Sequence, residues 1–288
     1  MAIVQAVING VLIGGVYALI TTGLTLIFGV MGVVNFAQGE FLMLGMYIAY
    51  FASVGLHIDP MLSALGAFVL LFAFGALIEM GLVRRILNGP PISQIFLTVG
   101  ISIALQNAAL AAFGSDYRSV SVPYQTSSIN LGALVLPVTY LLAFAWAAAV
   151  SLTLFLFMTK TDFGRAMRAV AVNGGAATLC GVPVARVRTV AFGIGVALAG
   201  LAGAVILPYA YAFPTIGLRY VVIMFTIAVL GGLGNVTGAV LGSMIVGITQ
   251  SLSTLFLPSA LQNIVVFALF FAVLMLRPSG ILGRTSAT

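Results

Sequence analysis

Long stretches without a charged residue constrain the fold of this chain more than any other feature. Charged residues make up only 6% of the 288 positions and hydrophobic residues 62%, whereas soluble domains carry about 25% charged residues. Because a bilayer span needs about 20 apolar residues, each long stretch can hold at least one span. The stretches cover residues 1–39, 60–78, 86–115, 119–159, 189–218 and 220–276. They lack the strict alternation of barrel strands, so the sequence predicts an all-α integral membrane protein.

Basic residues indicate how the helices are oriented in the membrane. Nine of the eleven Lys and Arg residues fall in groups at 84–85, 160–188 and 277–284, and the positive-inside rule makes these groups cytoplasmic. This orientation predicts an external N-terminus, an internal C-terminus and an external loop at about 114–136. The whole chain, residues 1–288, is predicted to form one transmembrane domain.

The uncharged stretches and their breaks predict about eight transmembrane helices, within a range of seven to nine. Between Arg219, predicted outside, and Arg277, predicted inside, the chain must cross the membrane an odd number of times. Glycines at 231, 232 and 234, together with Asn235 and Pro258, divide this stretch into pieces of unequal length. The predicted helices lie near 4–30, 39–56, 60–83, 93–113, 137–158, 189–212, 220–230, 237–254 and 261–276.

Two glycine-interrupted segments each join two helices and contain an asparagine. They are residues 28–40 with Asn35, and residues 230–238 with Asn235. Together they indicate a weak internal repeat of two halves with interrupted or re-entrant helices. Interrupted segments at corresponding places of two halves point to the substrate path of a transporter. Small residues also let helices pack closely, and the sequence supports both explanations equally.

Residues for catalysis or nucleotide binding are missing from the sequence. There is no G-x-x-x-x-G-K-[ST] phosphate-binding loop, and Lys160, the single lysine, has no glycine frame around it. The single histidine, His57, is far in sequence from the single cysteine, Cys180, so no metal site is predicted. The net charge of +6 follows from topology, so no nucleic-acid partner is expected. The sequence therefore predicts a chain that is not an enzyme and holds no cofactor.

Two carboxylates, Glu40 and Glu79, fall within predicted helices. Glu79 precedes Arg84 and Arg85 by about one helical turn, which predicts an ion pair at the cytoplasmic end of a helix. Glu40 begins a helix, where a carboxylate either caps exposed backbone N–H groups or lies in the path. Ion-coupled carriers have paired intramembrane charges. Their scarcity here makes a stand-alone secondary transporter or channel the weaker alternative.

A polar segment at about 159–188 lies on the predicted cytoplasmic side. Arg165 and Arg168 are three residues apart and share one face of a helix. A second short helical stripe ends at Gly181, a natural helix stop. A short helix between spans suits docking to a soluble partner. The alternative is a basic loop that touches lipid headgroups.

Several motifs carry a resemblance to a known family. The longest is Gly23-Leu-Thr-Leu-Ile-Phe-Gly-Val-Met-Gly-Val-Val-Asn-Phe-Ala-Gln-Gly-Glu-Phe-Leu-Met-Leu-Gly45. The next begins as Gly164-Arg-Ala-Met-Arg-Ala-Val-Ala-Val-Asn173 and leads to Ala177 and Gly181. Later motifs at 199–204, 231–238 and 277–283 follow in order. Over nearly its whole length the chain resembles the LivH-type permease subunits of branched-chain amino acid ABC importers.

The resemblance implies a multi-pass protein of the bacterial inner membrane that moves branched-chain amino acids. The implied partners are a LivM-like second permease, two cytoplasmic ATP-binding subunits and a periplasmic solute-binding protein, with membrane lipid around the spans. ATP bound by the partners would explain the missing phosphate loop. Gln38 stands where the family often has His, which argues against a proton-sensitive role there. Because relatives carry urea, short amides or aromatic acids, these solutes are the alternative cargo.

Two sets of residues follow as site predictions. The set expected to line or frame the translocation path is Asn35, Gln38, Glu40, Asn235 and Thr237. The set expected to shape the ATPase-docking surface is Arg165, Arg168, Asn173, Ala177 and Gly181. Path residues are expected to be few and polar, because a permease must release its cargo while the binding protein supplies the affinity.

Overall fold

The computed structural model describes residues 1–87, 89–132, 134–258, 261–277 and 279–282. Eleven α-helices account for most of these residues. In chain order they are α1 (Ala2–Met31), α2 (Gln38–Leu56), α3 (Pro60–Ile78), α4 (Arg84–Ile86), α5 (Pro91–Phe113), α6 (Val138–Lys160), α7 (Asp162–Leu179), α8 (Val184–Ile206), α9 (Ile216–Gly231), α10 (Val236–Ser253) and α11 (Gln262–Leu276). A π-helical turn, Glu79–Val83, joins α3 to α4, and a 3-10 turn, Leu207–Tyr209, follows α8. Arg284, the last residue of the third basic group, lies outside the described residues.

Seven helical stretches of the described chain are long and apolar enough to span a membrane, by length and composition. They are α1, α2, α3 continued through α4, α5, α6, α8 with its 3-10 turn, and α10. Helices α9 and α11 are apolar but have only 16 and 15 residues, fewer than the roughly 20 that cross a bilayer. The prediction of an all-α membrane protein is confirmed, and seven spans lie at the lower end of the predicted range.

Helix α8 differs most from its predicted bounds of 189–212. It begins at Val184, directly after Pro183, so its first turns include the charged residues that the prediction placed before the helix. Charge marks where the bilayer ends, but a helix can continue beyond that point. It ends at Ile206, and Pro208 in the following 3-10 turn has no N–H to continue the helical ladder.

Contacts between distant residues place the three basic segments at one end of the helical bundle. Arg84 of α4 donates to the Thr189 hydroxyl of α8 at 2.6 Å, and α7 leads directly into α8 at that end. Arg168 of α7 lines one cavity with Leu282, five residues after Arg277. We call this end of the bundle the basic end. Its assignment to the cytoplasm stays a prediction from charge.

An antiparallel hairpin covers the opposite end, which we call the hairpin end. It consists of β1 (Ser128–Leu131) and β2 (Leu134–Pro137), with Ser128 paired to Pro137. The amide of Gln5 in α1 anchors the hairpin by bonding both backbone groups of Val135, at 2.6 and 2.9 Å. The sequence predicted only a loop at about 114–136, because four-residue strands are too short to give a clear alternating pattern.

The carboxylate of Asp59 ties the segment before the hairpin to the start of α3. It accepts a hydrogen bond from the Met61 N–H at 2.7 Å, which caps α3, and another from the Tyr124 hydroxyl at 2.9 Å. Burial, together with the neighbouring Asp59 carboxylate, raises the pKa of Tyr124 above its ordinary value. The phenol therefore stays protonated and keeps donating to Asp59.

Glycines let the central helices approach closely. A Cβ placed on Gly247 of α10 would lie 2.5 Å from the Gly10 carbonyl oxygen and 2.6 Å from the Gly14 Cα, both in α1. A Cβ placed on Gly29 would lie 2.8 Å from the Gly234 carbonyl oxygen. Close packing by small residues, one of the two explanations for the glycine-rich segments, is confirmed at these positions. The contact at Gly29 also brings the two glycine-interrupted breaks side by side.

Candidate functional site

A buried network of amide side chains holds the first glycine-interrupted break. Gly32 ends α1 with a φ of 69°, a left-handed conformation that favours glycine. The Asn35 side chain accepts a hydrogen bond from the Ala37 N–H at 3.1 Å and donates to the Gln38 Oε1 at 2.9 Å. Gln38 in turn donates to the Gly195 carbonyl in α8 at 2.7 Å. Asn35 and Gln38 are 1% and 0% exposed, so they fix the start of α2 against α8.

Glu40 follows this network in the first turn of α2 and is buried. Its Oε1 accepts a hydrogen bond from the Ser102 hydroxyl of α5 at 3.2 Å, while its Oε2 has no partner among the described residues. The Oε2 atom lies against α9, where a Cβ on Gly217 would come within 2.7 Å of it. The N-cap of α2 has no side-chain hydrogen bond. The carboxylate thus packs between α5 and α9 rather than capping α2.

The second break carries Asn235, which caps α10. Its Oδ1 accepts from the Gly238 N–H at 3.1 Å, and its Nδ2 donates to the Leu282 carbonyl at 2.9 Å. Asn235 and Thr237 line a cavity of about 430 Å³ at the basic end, together with Arg168 of α7. The second break therefore lies where the predicted docking segment meets the bundle.

Helix α7 consists of two helical pieces that meet at Asn173. The backbone of Asn173 is not helical, with φ −159° and ψ 101°, and its side chain accepts from the Ala176 N–H at 2.9 Å to cap the second piece. Ala177 in this piece is buried. Gly181 follows it with a φ of 80°. The predicted second short helix ending at Gly181 is confirmed.

The first piece of α7 carries the two predicted docking arginines, and both are exposed. Arg165 forms an ion pair with Asp162, and Arg168 donates to the Met158 carbonyl of α6. Leu179, the last residue of the second piece, is 91% exposed.

Glu79 forms the ion pair that its spacing to Arg84 predicted. The Arg84 guanidinium lies 2.9 Å from the Glu79 carboxylate, which is fully buried. The Thr189 hydroxyl of α8 also donates to this carboxylate at 2.7 Å. Across the described ranges, no three His, Cys, Asp or Glu side chains are grouped so that they could hold a metal ion.

A cavity at the hairpin end was missed by sequence reasoning. It has a volume of about 510 Å³, and we call it the aromatic cavity. Its aromatic and polar lining comprises Tyr17, Tyr140, Tyr209, Tyr211, Phe213, Tyr220, Asn9, Arg219, Gln250, Ser251, Thr254 and Gln262. These residues come from α1, α6, α9, α10, α11 and the segment between α8 and α9, so no local sequence motif marks them.

The structure does not bring the five predicted path residues into one cavity. Asn35, Gln38 and Glu40 are enclosed between helices and line neither the aromatic cavity nor the cavity at the basic end. Asn235 and Thr237 line the latter. The first three residues therefore frame the helices, and their part in transport stays a prediction.

Comparisons with known proteins assign the chain to a family. The family model described as the permease component of branched-chain amino acid transport systems matches residues 6–274. The permease LivH of Salmonella typhimurium is 35% identical, and LivH of Escherichia coli and BraD of Pseudomonas aeruginosa are each 34% identical. Each match covers 97% of this chain and 95% of the relative. All three are named high-affinity branched-chain amino acid transport system permease proteins. No solved structure matches the chain.

The family and the fold agree with each other. The family model matches residues 6–274, and seven span-length apolar helices in the described part of the chain agree with a membrane permease. The resemblance carried by the glycine-rich motifs is confirmed. The chain belongs to the family of branched-chain amino acid transport permeases and is a multi-pass protein of the inner membrane.

Proposed function

We propose that the chain forms half of the transmembrane pore of an ABC importer for branched-chain amino acids. The observation that carries this proposal is the 34–35% identity to permeases of that name along 97% of the chain. A second, LivM-like permease would complete the pore. A periplasmic binding protein would deliver the solute, and two ATP-binding subunits would drive the cycle from the cytoplasm.

The sequence supports a division of labour between this chain and partner ATPases. It contains no phosphate-binding loop, so ATP would bind to the partners and this chain would need no cofactor of its own. Nucleotide and loaded binding protein would each favour one of two arrangements of the pore. Transport then follows from shifting the population between an outward-facing and an inward-facing state.

Helix α7 is the surface that we assign to the ATP-binding subunits. It lies at the basic end between two spans, and its break at Asn173 separates two short pieces. The exposed side chains of Arg165, Arg168 and Leu179 present charge and apolar surface to a soluble protein. Arg168 also lines the cavity that holds Asn235 and Thr237. Movement of α7 would therefore reach the second break directly.

Co-purification and transport together test this function. We expect the tagged chain to bring ATP-binding subunits with it in detergent. Proteoliposomes that contain the complex should take up L-leucine only when ATP and the binding protein are both present. Uptake that continues without ATP would instead identify a secondary carrier, the alternative that the scarcity of intramembrane charge disfavours.

The docking surface is tested by replacing Gly181, which has a φ of 80°, with valine. A β-branched residue is strained in this conformation, so the end of α7 should shift and leucine-stimulated ATP hydrolysis should fall. The matched control is Gly132→Val, because Gly132 has a similar φ of 64° and lies at the hairpin end. Equal effects of both variants, or unchanged coupling in Gly181→Val, would contradict the assignment.

The predicted path residues are tested by transport rates. Asn35→Ala removes two buried hydrogen bonds at the first break, and Asn235→Ala removes the cap of α10. Both variants should lower uptake while the complex still assembles. Rates equal to those of the unmodified complex would remove these residues from the path. Preferential uptake of urea, a short amide or an aromatic acid would assign the alternative cargo.

A further inference from the structure

We propose that the aromatic cavity is a binding site for a zwitterionic amino acid, and that Arg219 binds its carboxylate. The inference deepens the proposed function, because it names the solute chemistry that the permease itself recognises. It rests on that function for the identity of the cargo. The cavity, its charge and its lining come from the structure alone.

The charge of the cavity points to an anionic group. Arg219 is the single charged residue in the described lining, and all five acidic residues of the chain lie elsewhere. Neither of the two ion pairs within the described residues includes Arg219. Arg219 is exposed, so its guanidinium is accessible to a solute that enters the cavity. Its planar guanidinium matches a carboxylate with two parallel hydrogen bonds.

Polar side chains around Arg219 add donors. The Tyr17 hydroxyl donates to the Gln250 Oε1 at 2.8 Å, and this contact leaves the Gln250 amide nitrogen available as a donor. Arg219 lies in the first turn of α9, where the backbone dipoles favour negative charge. These contributions reinforce the preference for a carboxylate that the guanidinium establishes.

The rest of the lining suits the ammonium group and an apolar side chain. The lining contains five tyrosines, and the faces of tyrosine rings attract cations. Ile13, Val16 and Phe213 form apolar wall. A zwitterion with an aliphatic side chain satisfies all three kinds of contact. Urea and short amides lack the charged group that Arg219 requires.

The position of the cavity agrees with its use as an entry site. It lies at the hairpin end, opposite to α7, and Pro137 of the hairpin and Asn9 of α1 are part of its lining. By the charge rule this end faces the periplasm. A solute released by a binding protein would therefore meet Arg219 before it reaches the breaks at the basic end.

Thiol modification at the cavity tests the inference without relying on transport. Thr254 lines the cavity and is exposed, so Thr254→Cys in a Cys180→Ser background of the full complex places one thiol of this chain there. Its rates of modification by a sulfonate-bearing and by a trimethylammonium-bearing methanethiosulfonate are compared by mass spectrometry. We expect the anionic reagent to modify the thiol about tenfold faster when Arg219 is present than in the Arg219→Gln variant. A tenfold difference in rate is typical of one interaction with a charged group.

Protection by small solutes then identifies the recognised group. L-leucine and isovalerate should slow modification at position 254, whereas leucinamide and isovaleramide should not. Arg219→Lys should keep the preference for the anionic reagent but weaken protection by leucine about tenfold, since an ammonium lacks the two-pronged geometry. The control is Arg118→Gln, which removes a positive charge at the same end but outside the cavity. This variant should leave both the preference for the anionic reagent and the protection by leucine unchanged.

Separate outcomes decide the inference and the proposed function. Equal reaction of both reagents, or equal protection by leucine and leucinamide, would overturn the carboxylate site even if leucine is transported. Charge-dependent protection without ATP-driven uptake would overturn the proposed importer and leave the carboxylate site in place. If Arg219→Gln does not assemble, Arg219→Lys and the protection series still decide the question.

Discussion

The close contact between α1 and α10 gives the sharpest prediction for stability. A Cβ on Gly247 would lie 2.5 Å from the Gly10 carbonyl oxygen and 2.6 Å from both the Cα and the backbone nitrogen of Gly14. All three atoms belong to the backbone, so relief requires one helix to move by roughly 1 Å before ordinary van der Waals contact is restored. Overpacking of this kind costs about 1–3 kcal/mol.

The substitution Gly247→Ala also changes helix propensity, and a matched control removes that effect. Alanine is favoured over glycine by about 1 kcal/mol in a helix interior. Gly66 lies within α3, and a Cβ there would meet nothing within 4 Å. Gly66→Ala therefore reports the propensity gain alone. The two variants should differ by the full overpacking cost of about 1–3 kcal/mol.

Thermal unfolding of the detergent-solubilised complex measures this difference. At about 2–4 °C for each kcal/mol in a chain of this size, the midpoint of Gly247→Ala should lie roughly 2–12 °C below that of Gly66→Ala. Equal midpoints for the two variants would refute the close approach of α1 and α10.

Two further predictions concern polar contacts at the two ends of the bundle. Arg84→Ala leaves the buried Glu79 carboxylate without its cation and should destabilise the chain by about 2–3 kcal/mol, below the range for a fully buried pair because Arg84 is partly exposed. Adding Glu79→Gln should restore most of the loss in thermal midpoint, and a double variant as unstable as Arg84→Ala would contradict the reasoning. Asp59→Ala removes the cap of α3, which costs about 1 kcal/mol. Because the Asp59 carboxylate helps to raise the pKa of Tyr124, the phenol should ionise at lower pH in this variant, as measured by ultraviolet absorbance during alkaline titration. The unmodified protein loses this contact only as the pH rises through the elevated pKa of Tyr124.

The features that could be predicted from the sequence depend on residues close to each other along the chain. The predicted ion pair of Glu79 and Arg84 joins side chains five positions apart. The long uncharged stretches, divided at charged, glycine and proline residues, predicted the positions of the seven span-length helices in the described chain. The hairpin was missed because its strands are short and are held by Gln5, more than a hundred residues away in sequence.

The aromatic cavity was beyond sequence reasoning for a related reason. Tyr17 and Gln250 are separated by 233 positions. In the sequence, each is a polar residue within an apolar helix, and nothing nearby indicates that the two side chains meet. Arg219 appeared in the sequence only as a marker of topology between two uncharged stretches. Its role as the single charged lining residue follows from packing α1, α6, α9 and α10 around one space.

Helix α10 connects the two regions that we propose as the solute site and the surroundings of the ATPase-docking helix. Its cap residue Asn235 and Thr237 in its first turn border the cavity beside α7, and Gln250 near its C-terminal end lines the aromatic cavity. A helix of 18 residues is a rigid rod about 27 Å long. Because α10 packs on α1 through glycines with little room to spare, displacement of either end is expected to move the helix as a whole. Movement that starts at α7 would then change the space around Arg219, which is the coupling that import against a gradient requires.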